Sequence, residues 1–167
     1  EFMSEVVPAA PQEGEFVGGN GIDMAAWKAT YKAAESKDSA LMEQFFALYK
    51  PESSSIWTLT YDEPESNESL EDTVEIIKSF MKNTESIKDH CFGVMHVVDG
   101  LGIEGVWVFN GPDPEKLFGA NEDTSWFSWN QLGPEATDLV KKAVATYMAP
   151  ADGSIYGKAI KDTQAFC

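Results

Sequence analysis

Two strand signals joined by a four-residue turn constrain this chain more than any other feature. Phe92 to Val98 is one apolar run, Val106 to Phe109 is the next with Ile103 opening it, and Asp99-Gly100-Leu101-Gly102 lies between them. So short a connection joins antiparallel neighbours, because a parallel pair needs a crossover of a dozen residues or more. Ile56 to Tyr61 is β-branched and aromatic, with Trp57, Leu59 and Tyr61 on one face, and reads as an earlier strand. Trp126 to Leu132 predicts a fourth.

Helical spacing fills the intervals. Asp23 is a plausible N-cap for a helix carrying Met24, Trp27, Tyr31 and Ala34 on one side. A second helix is expected after Ser39, with Leu41, Phe45 and Leu48 on one face and Pro51 helping to end it. Ser69-Leu70-Glu71-Asp72 has the form of a capping box. Val74, Ile77 and Met81, flanked by Ile76 and Phe80, continue that helix to about Lys82. Gly133-Pro134 predicts a last helix with proline at its first position. Its inward residues would be Leu139, Val140, Ala143, Val144 and Tyr147, and Pro150 ends it. The tail from Ser154 to Cys167 is expected to dock as extended chain.

This order implies an α+β fold, a central antiparallel sheet flanked by helices in a single domain. Trp57, Trp107, Ile77 and Leu139 are expected to be largely buried. A chain of 167 residues can bury about 70% of its unfolded surface without disulfide or metal staples. Residues 4–22, rich in Glu, Pro, Ala and Gly, can bury little. Glu1-Phe2 before Met3 has the form of a cloning scar, which would make Met3 a native start. The expected division is thus 1–22 as scar and disordered leader and 23–167 as the domain.

Charge narrows the function. The formal net charge is −16, and all twelve basic residues are lysines. Such a surface repels phosphate backbones and anionic membranes and favours basic protein partners. No apolar run approaches the roughly 20 residues of a membrane helix, and no signal peptide is recognisable. Cys91 reads as a buried thiol and Cys167 as an exposed terminal one, which is no disulfide framework. The expected compartment is the cytoplasm.

Several motifs dissolve on inspection. Gly100-Leu101-Gly102-Ile103-Glu104-Gly105 matches the spacing of a dinucleotide fingerprint, but that device needs a helix after the third glycine and here a strand follows. His90, Cys91 and His96 are too few and wrongly spaced for zinc. No nucleophile elbow or phosphate-binding loop is present. No catalytic residue, metal or cofactor is therefore assigned. Trp126 and Trp129 have opposite parity, so a regular strand cannot turn both inward, and one is left for recognition or a pocket.

Gly105-Val106-Trp107-Val108-Phe109-Asn110-Gly111 resembles a string typical of the C-terminal domain of translation elongation factor 1-gamma, where the sixth residue is usually arginine. Trp27-x-x-x-Tyr31, Ser55-Ile56-Trp57 with Tyr61, Trp129-x-x-Leu132 and Gly157-Lys158-Ala159 follow the family's order, so the resemblance runs from about Asp23 to Phe166. Asn110, Asn130-Gln131 and Phe166-Cys167 depart from it, each where the family tends to carry a basic residue. The resemblance implies a central antiparallel sheet with helices around it and no established catalysis. In the full family protein a glutathione-transferase-like domain and a lysine-rich linker precede this domain, and the assembly scaffolds the nucleotide-exchange subunits of the elongation factor 1 complex. This chain would be a divergent copy, free-standing or excised.

The expected role is thus a non-enzymatic interaction module whose partners are proteins of the translation elongation machinery. The oligomeric state is left open. The alternative is a small-molecule pocket on the aromatic face of the sheet. Tyr61, His96, Trp107 and Trp129 are the candidate binding residues, His96 being the one obvious acid–base group. Nucleic-acid binding, a natural third guess from the family, is expected to be negligible on charge.

Overall fold

The computed structural model describes residues 21–167. The leader expected over residues 1–22 lies outside the described residues except for its last two, Gly21 and Ile22, and Ile22 is buried. The elements in order are α1 (Met24–Ala33), α2 (Ser39–Leu48), β1 (Ser54–Tyr61), α3 (Leu70–Asn83), β2 (Cys91–Val98), β3 (Gly102–Asn110), α4 (Glu115–Ala120), β4 (Phe127–Gly133), α5 (Asp138–Met148), β5 (Ser154–Ile155) and β6 (Lys158–Phe166). They form one α+β domain around a six-stranded antiparallel sheet of order β4-β1-β3-β2-β6-β5.

The helix starts follow capping chemistry. The Asp23 carboxylate accepts from the Ala26 N–H at 3.0 Å, and the Ser69 hydroxyl from the Asp72 N–H at 3.1 Å. The central hairpin forms as its turn chemistry requires, with Val98 paired to Gly102 and Val94 to Val106. Gly100 takes φ +81° in that turn, where an L side chain is disfavoured.

Strand parity sorts the core into two layers. Even-numbered Phe92, Val94, Val106 and Val108 face α1, α2 and α5, where Trp27 packs on Phe92 at 5.5 Å and on Phe45 at 5.1 Å. Odd-numbered Met95, Val97, Ile103, Trp107 and Phe109 face α3 and α4, against Ile77, Phe80 and Leu117. Every residue of β2 is buried because both of its faces are covered. Gly105 belongs to this close packing, since a Cβ there would lie 2.4 Å from the Val94 carbonyl oxygen. The glycine spacing thus serves sheet contact, with β3 continuing where a fingerprint would start its helix.

Three expectations are corrected. The last helix begins at Asp138, because Thr137 caps it by accepting from the Val140 N–H, while Gly133 still pairs with Ile56 in the sheet. Leu139 therefore sits in the first turn and is 80% exposed, and the buried stripe is Val144, Tyr147 and Met148. Trp57 is only half-buried, whereas Trp107 and Ile77 are fully buried. The tail docks as extended chain, as expected, and does so as a strand: β6 pairs with β2 from Phe166 to Ile160. Cys91 is buried and Cys167 half-buried, and both are free thiols. Among the described residues no helix is long and apolar enough to cross a membrane.

Candidate functional site

An exposed aromatic feature forms where β4 leaves a tight turn. Residues 122–126 make a 3₁₀ turn capped by Asn121, whose side-chain oxygen accepts from the Asp123 N–H at 2.9 Å. The strand starts only at Phe127, so Trp126 is not a strand residue as its sequence context suggested. Its carbonyl accepts from the Asp62 N–H at 3.0 Å, which ties it to the end of β1, while its ring remains 52% exposed.

Two grooves share Ser125 as a wall. The first, about 300 Å³, is lined by Tyr61, Asp62, Glu63, Ser125 and Trp126. The second, about 600 Å³, is lined by Phe118, Glu122, Thr124, Ser125, Phe127 and Trp129. The Trp129 indole is fixed there: its N–H donates to the Thr124 carbonyl at 3.2 Å, and Phe118 meets it edge-on at 5.4 Å. Tyr61 packs on Phe127 at 5.3 Å. Every charged residue lining either groove is acidic.

The predicted site residues divide between the two faces of the sheet. Tyr61 and Trp129 line the two grooves, and Trp107 shares their face, but it is fully buried beneath them. The Trp107 ring fills the place of a side chain at Gly93, where a Cβ would lie 2.2 Å from it. His96 is on the opposite face, 2% exposed, against α5 and β6. Its Nε2–H donates to the Tyr147 carbonyl at 2.6 Å, so Nδ1 is left to accept from the Thr163 hydroxyl at 2.8 Å. Burial pushes its pKa below the ordinary histidine value, against the opposing pull of the Tyr147 carbonyl, Glu104 and Asp162. With both ring nitrogens engaged, it offers no free acid–base group to the aromatic face.

The comparisons with known proteins agree with this frame. Residues 11–113 match the elongation factor 1 gamma conserved domain. This chain belongs to that family. It is 23% identical over 145 residues to the Arabidopsis thaliana protein named probable elongation factor 1-gamma 2, covering 84% of this chain and 35% of the relative. It is 22% identical over 145 residues to elongation factor 1-gamma 1 of Oryza sativa subsp. japonica, covering 34% of that protein. The chain thus spans about a third of the length of the curated relatives it matches.

The elongation factor 1-gamma match ends at residue 113, so it includes Tyr61, Asp62 and Glu63 of the grooves and stops short of Phe118, Ser125, Trp126 and Trp129. Of the sequence candidates, Tyr61 and Trp129 line these grooves; Trp126 as the exposed member, Phe118 and the acidic rim were not among them. The opposite parity of Trp126 and Trp129 was the available signal. Phe118 had none, because the six-residue α4 shows no apolar period and buries only Leu117.

A third groove of about 480 Å³ lies between α1, α3 and the end of β6. It carries Lys28, Lys82 and Lys88 together with Glu85 and Asp89, so its charges largely cancel. Lys28 is committed there, donating to the Lys88 carbonyl at 2.5 Å and lying 4.6 Å from the Phe166 ring centre. Among the described residues no three His, Cys, Asp or Glu side chains gather as metal ligands.

Proposed function

We propose that this domain is a non-enzymatic protein-interaction module of the translation elongation machinery, working in the cytoplasm, with the Trp126–Trp129 grooves as its contact surface. The observation that carries the reading is the exposed Trp126 ring between Tyr61 and two acidic neighbours, Asp62 and Glu63. An aromatic anchor exposed beside a polar rim has the composition of an interaction hot spot. Family membership supplies the translation context. The full-length relatives' partners come to this chain only through that membership.

Affinity purification of the tagged protein from its source is the test. Elongation factor 1 subunits, ribosomes or aminoacyl-tRNA synthetases are expected to be retained by the wild-type protein and depleted with Trp126→Ala. Repeated recovery of none of them would remove the translation role. The small-molecule alternative is less well supported, because the one buried histidine faces away from the grooves. A metabolite thermal-shift screen separates the two readings, since a tight ligand raises the melting temperature by mass action.

A further inference from the structure

The edge of the sheet beside these grooves is open. Among the described residues β4 pairs only with β1, and the Asp62 N–H to Trp126 carbonyl bond sets the phase of that ladder. Antiparallel pairs alternate, so Ser128 and Asn130 exchange bonds with Thr60 and Thr58. Trp129 and Gln131 then direct their N–H and C=O groups away from β1, off the free edge, and Phe127 adds its C=O, its N–H being taken by the Thr124 carbonyl. Exposed edges are usually guarded by charge, proline or brevity. The opposite edge is: β5 has two residues, and β6 carries Lys158 and Lys161. β4 is seven residues long, Phe-Ser-Trp-Asn-Gln-Leu-Gly, with no charge and no proline.

We propose that the β4 edge accepts an extended, lysine- or arginine-bearing apolar segment of a partner protein as a seventh strand. Strand addition supplies main-chain hydrogen bonds, and flanking pockets that read alternate side chains supply selectivity. Here apolar side chains enter the grooves at Trp126 and Trp129, and cationic ones meet Asp62, Glu63 and Glu122. Charge selects the occupant. The chain's own residues 1–20 carry Glu1, Glu5, Glu13 and Glu15 and no lysine, so they are repelled by this rim. A second copy of the chain, at −16, is repelled as well. The inference rests on the interaction-module reading but does not depend on which machinery the partner belongs to.

The test uses the full chain and an eight-residue alternating Lys–Val peptide, since a strand of that length covers the roughly 23 Å of β4 at ~3.3 Å per residue. Calorimetric titration is expected to show salt-sensitive binding, weakened at least tenfold by Trp126→Ala and severalfold by Glu63→Gln. Methylating alternate backbone nitrogens of the peptide is expected to abolish binding, as is Gln131→Pro, which removes an outward donor at a position where an edge strand tolerates proline. The proposal is overturned by no binding, by equal binding of a Glu–Val peptide or of the methylated peptide, or by preferential binding of a peptide of residues 4–20. Peptide binding alongside a failed pulldown would leave the edge site standing and remove the translation reading. The reverse pair of results would do the opposite.

Discussion

The Asn110 side chain binds the backbone of Ile22 from both sides. Its oxygen accepts from the Ile22 N–H at 2.8 Å, and its amide donates to the Ile22 carbonyl at 3.0 Å. A β-strand neighbour would make the same pair of bonds, so one side chain stands in for a strand at the start of the domain. Gly21 is matched to it: a Cβ there would lie 2.1 Å from the Asn110 side-chain oxygen. The residue that departs from the family's usual arginine therefore has a defined structural role here.

Asn110→Ala leaves both Ile22 backbone groups without these partners and is expected to cost about 1–3 kcal/mol. Asn110→Arg, which restores the family's usual residue, is expected to be destabilising too, because a guanidinium has no acceptor for the Ile22 N–H. Urea midpoints give the size of the effect. Hydrogen exchange should show it concentrated at Ile22 and the first turn of α1. An unchanged midpoint for both variants would show that the paired bonds contribute nothing.

Gly93→Ala is expected to be among the most disruptive single-methyl changes in the protein. The added carbon would lie 2.2 Å from the Trp107 ring, which is fully buried between Phe80 and Phe166. Neither the ring nor the β2 backbone has room to give. The loss should reach or exceed the roughly 1–3 kcal/mol typical of overpacking. Gly93→Ala combined with Trp107→Leu should recover part of it in denaturation midpoints, and absence of recovery would place the strain elsewhere.

His96 is expected to make stability fall on acidification. Burial lowers its folded pKa below the ordinary 6.5, so the unfolded chain takes up the proton first as pH drops. Stability contributed by neutral His96 is complete above that value and is lost as pH falls from it toward the folded pKa. His90 is lowered as well, by burial and by Lys116, with the same sign. His96→Gln keeps a donor for the Tyr147 carbonyl and leaves His90 in place. Its midpoint should therefore decline less between pH 7 and pH 5 than that of the wild type. Parallel declines would assign the slope to other groups.

How much of this was legible from residues alone varied with local redundancy. The β2–β3 hairpin was fully readable because turn glycines, β-branched runs and parity agreed. The α3 capping box was equally plain. Leu139 misled because the reading started the helix at Pro134, which would set Leu139 well inside it, whereas the start at Asp138 leaves it in the exposed first turn. Only pairing of Gly133 to Ile56 decides between the two starts. The tail's polar alternation, Lys-Ala-Ile-Lys-Asp-Thr-Gln-Ala-Phe, hid β6 because its partner strand, not its own apolarity, holds it in the sheet. The separation of His96 from Trp107 was latent in their register. Trp107 pairs with Gly93 and shares the face of odd-numbered β2 residues, and His96 is even-numbered. Phe118 beside Trp129 is a long-range contact that no sequence spacing announces.

Nucleic-acid binding at near-physiological salt is expected to be negligible. Affinity for phosphate backbones comes from cations that displace counterions. This chain sets 28 acidic side chains against 12 lysines, with no arginine to make bidentate phosphate contacts. The lysine grouping at Lys28, Lys82 and Lys88 shares its groove with Glu85 and Asp89, and Lys88 pairs with Glu85 at 3.3 Å. Lys141 is drawn over the Phe46 ring at 5.5 Å. Asn110, which replaces a cation of the family pattern, is turned toward Ile22. A mobility-shift titration with mixed RNA should therefore show no complex at micromolar protein. Salt-sensitive shifts there, abolished by Lys28→Ala with Lys82→Ala, would show that the local grouping overrides the net charge.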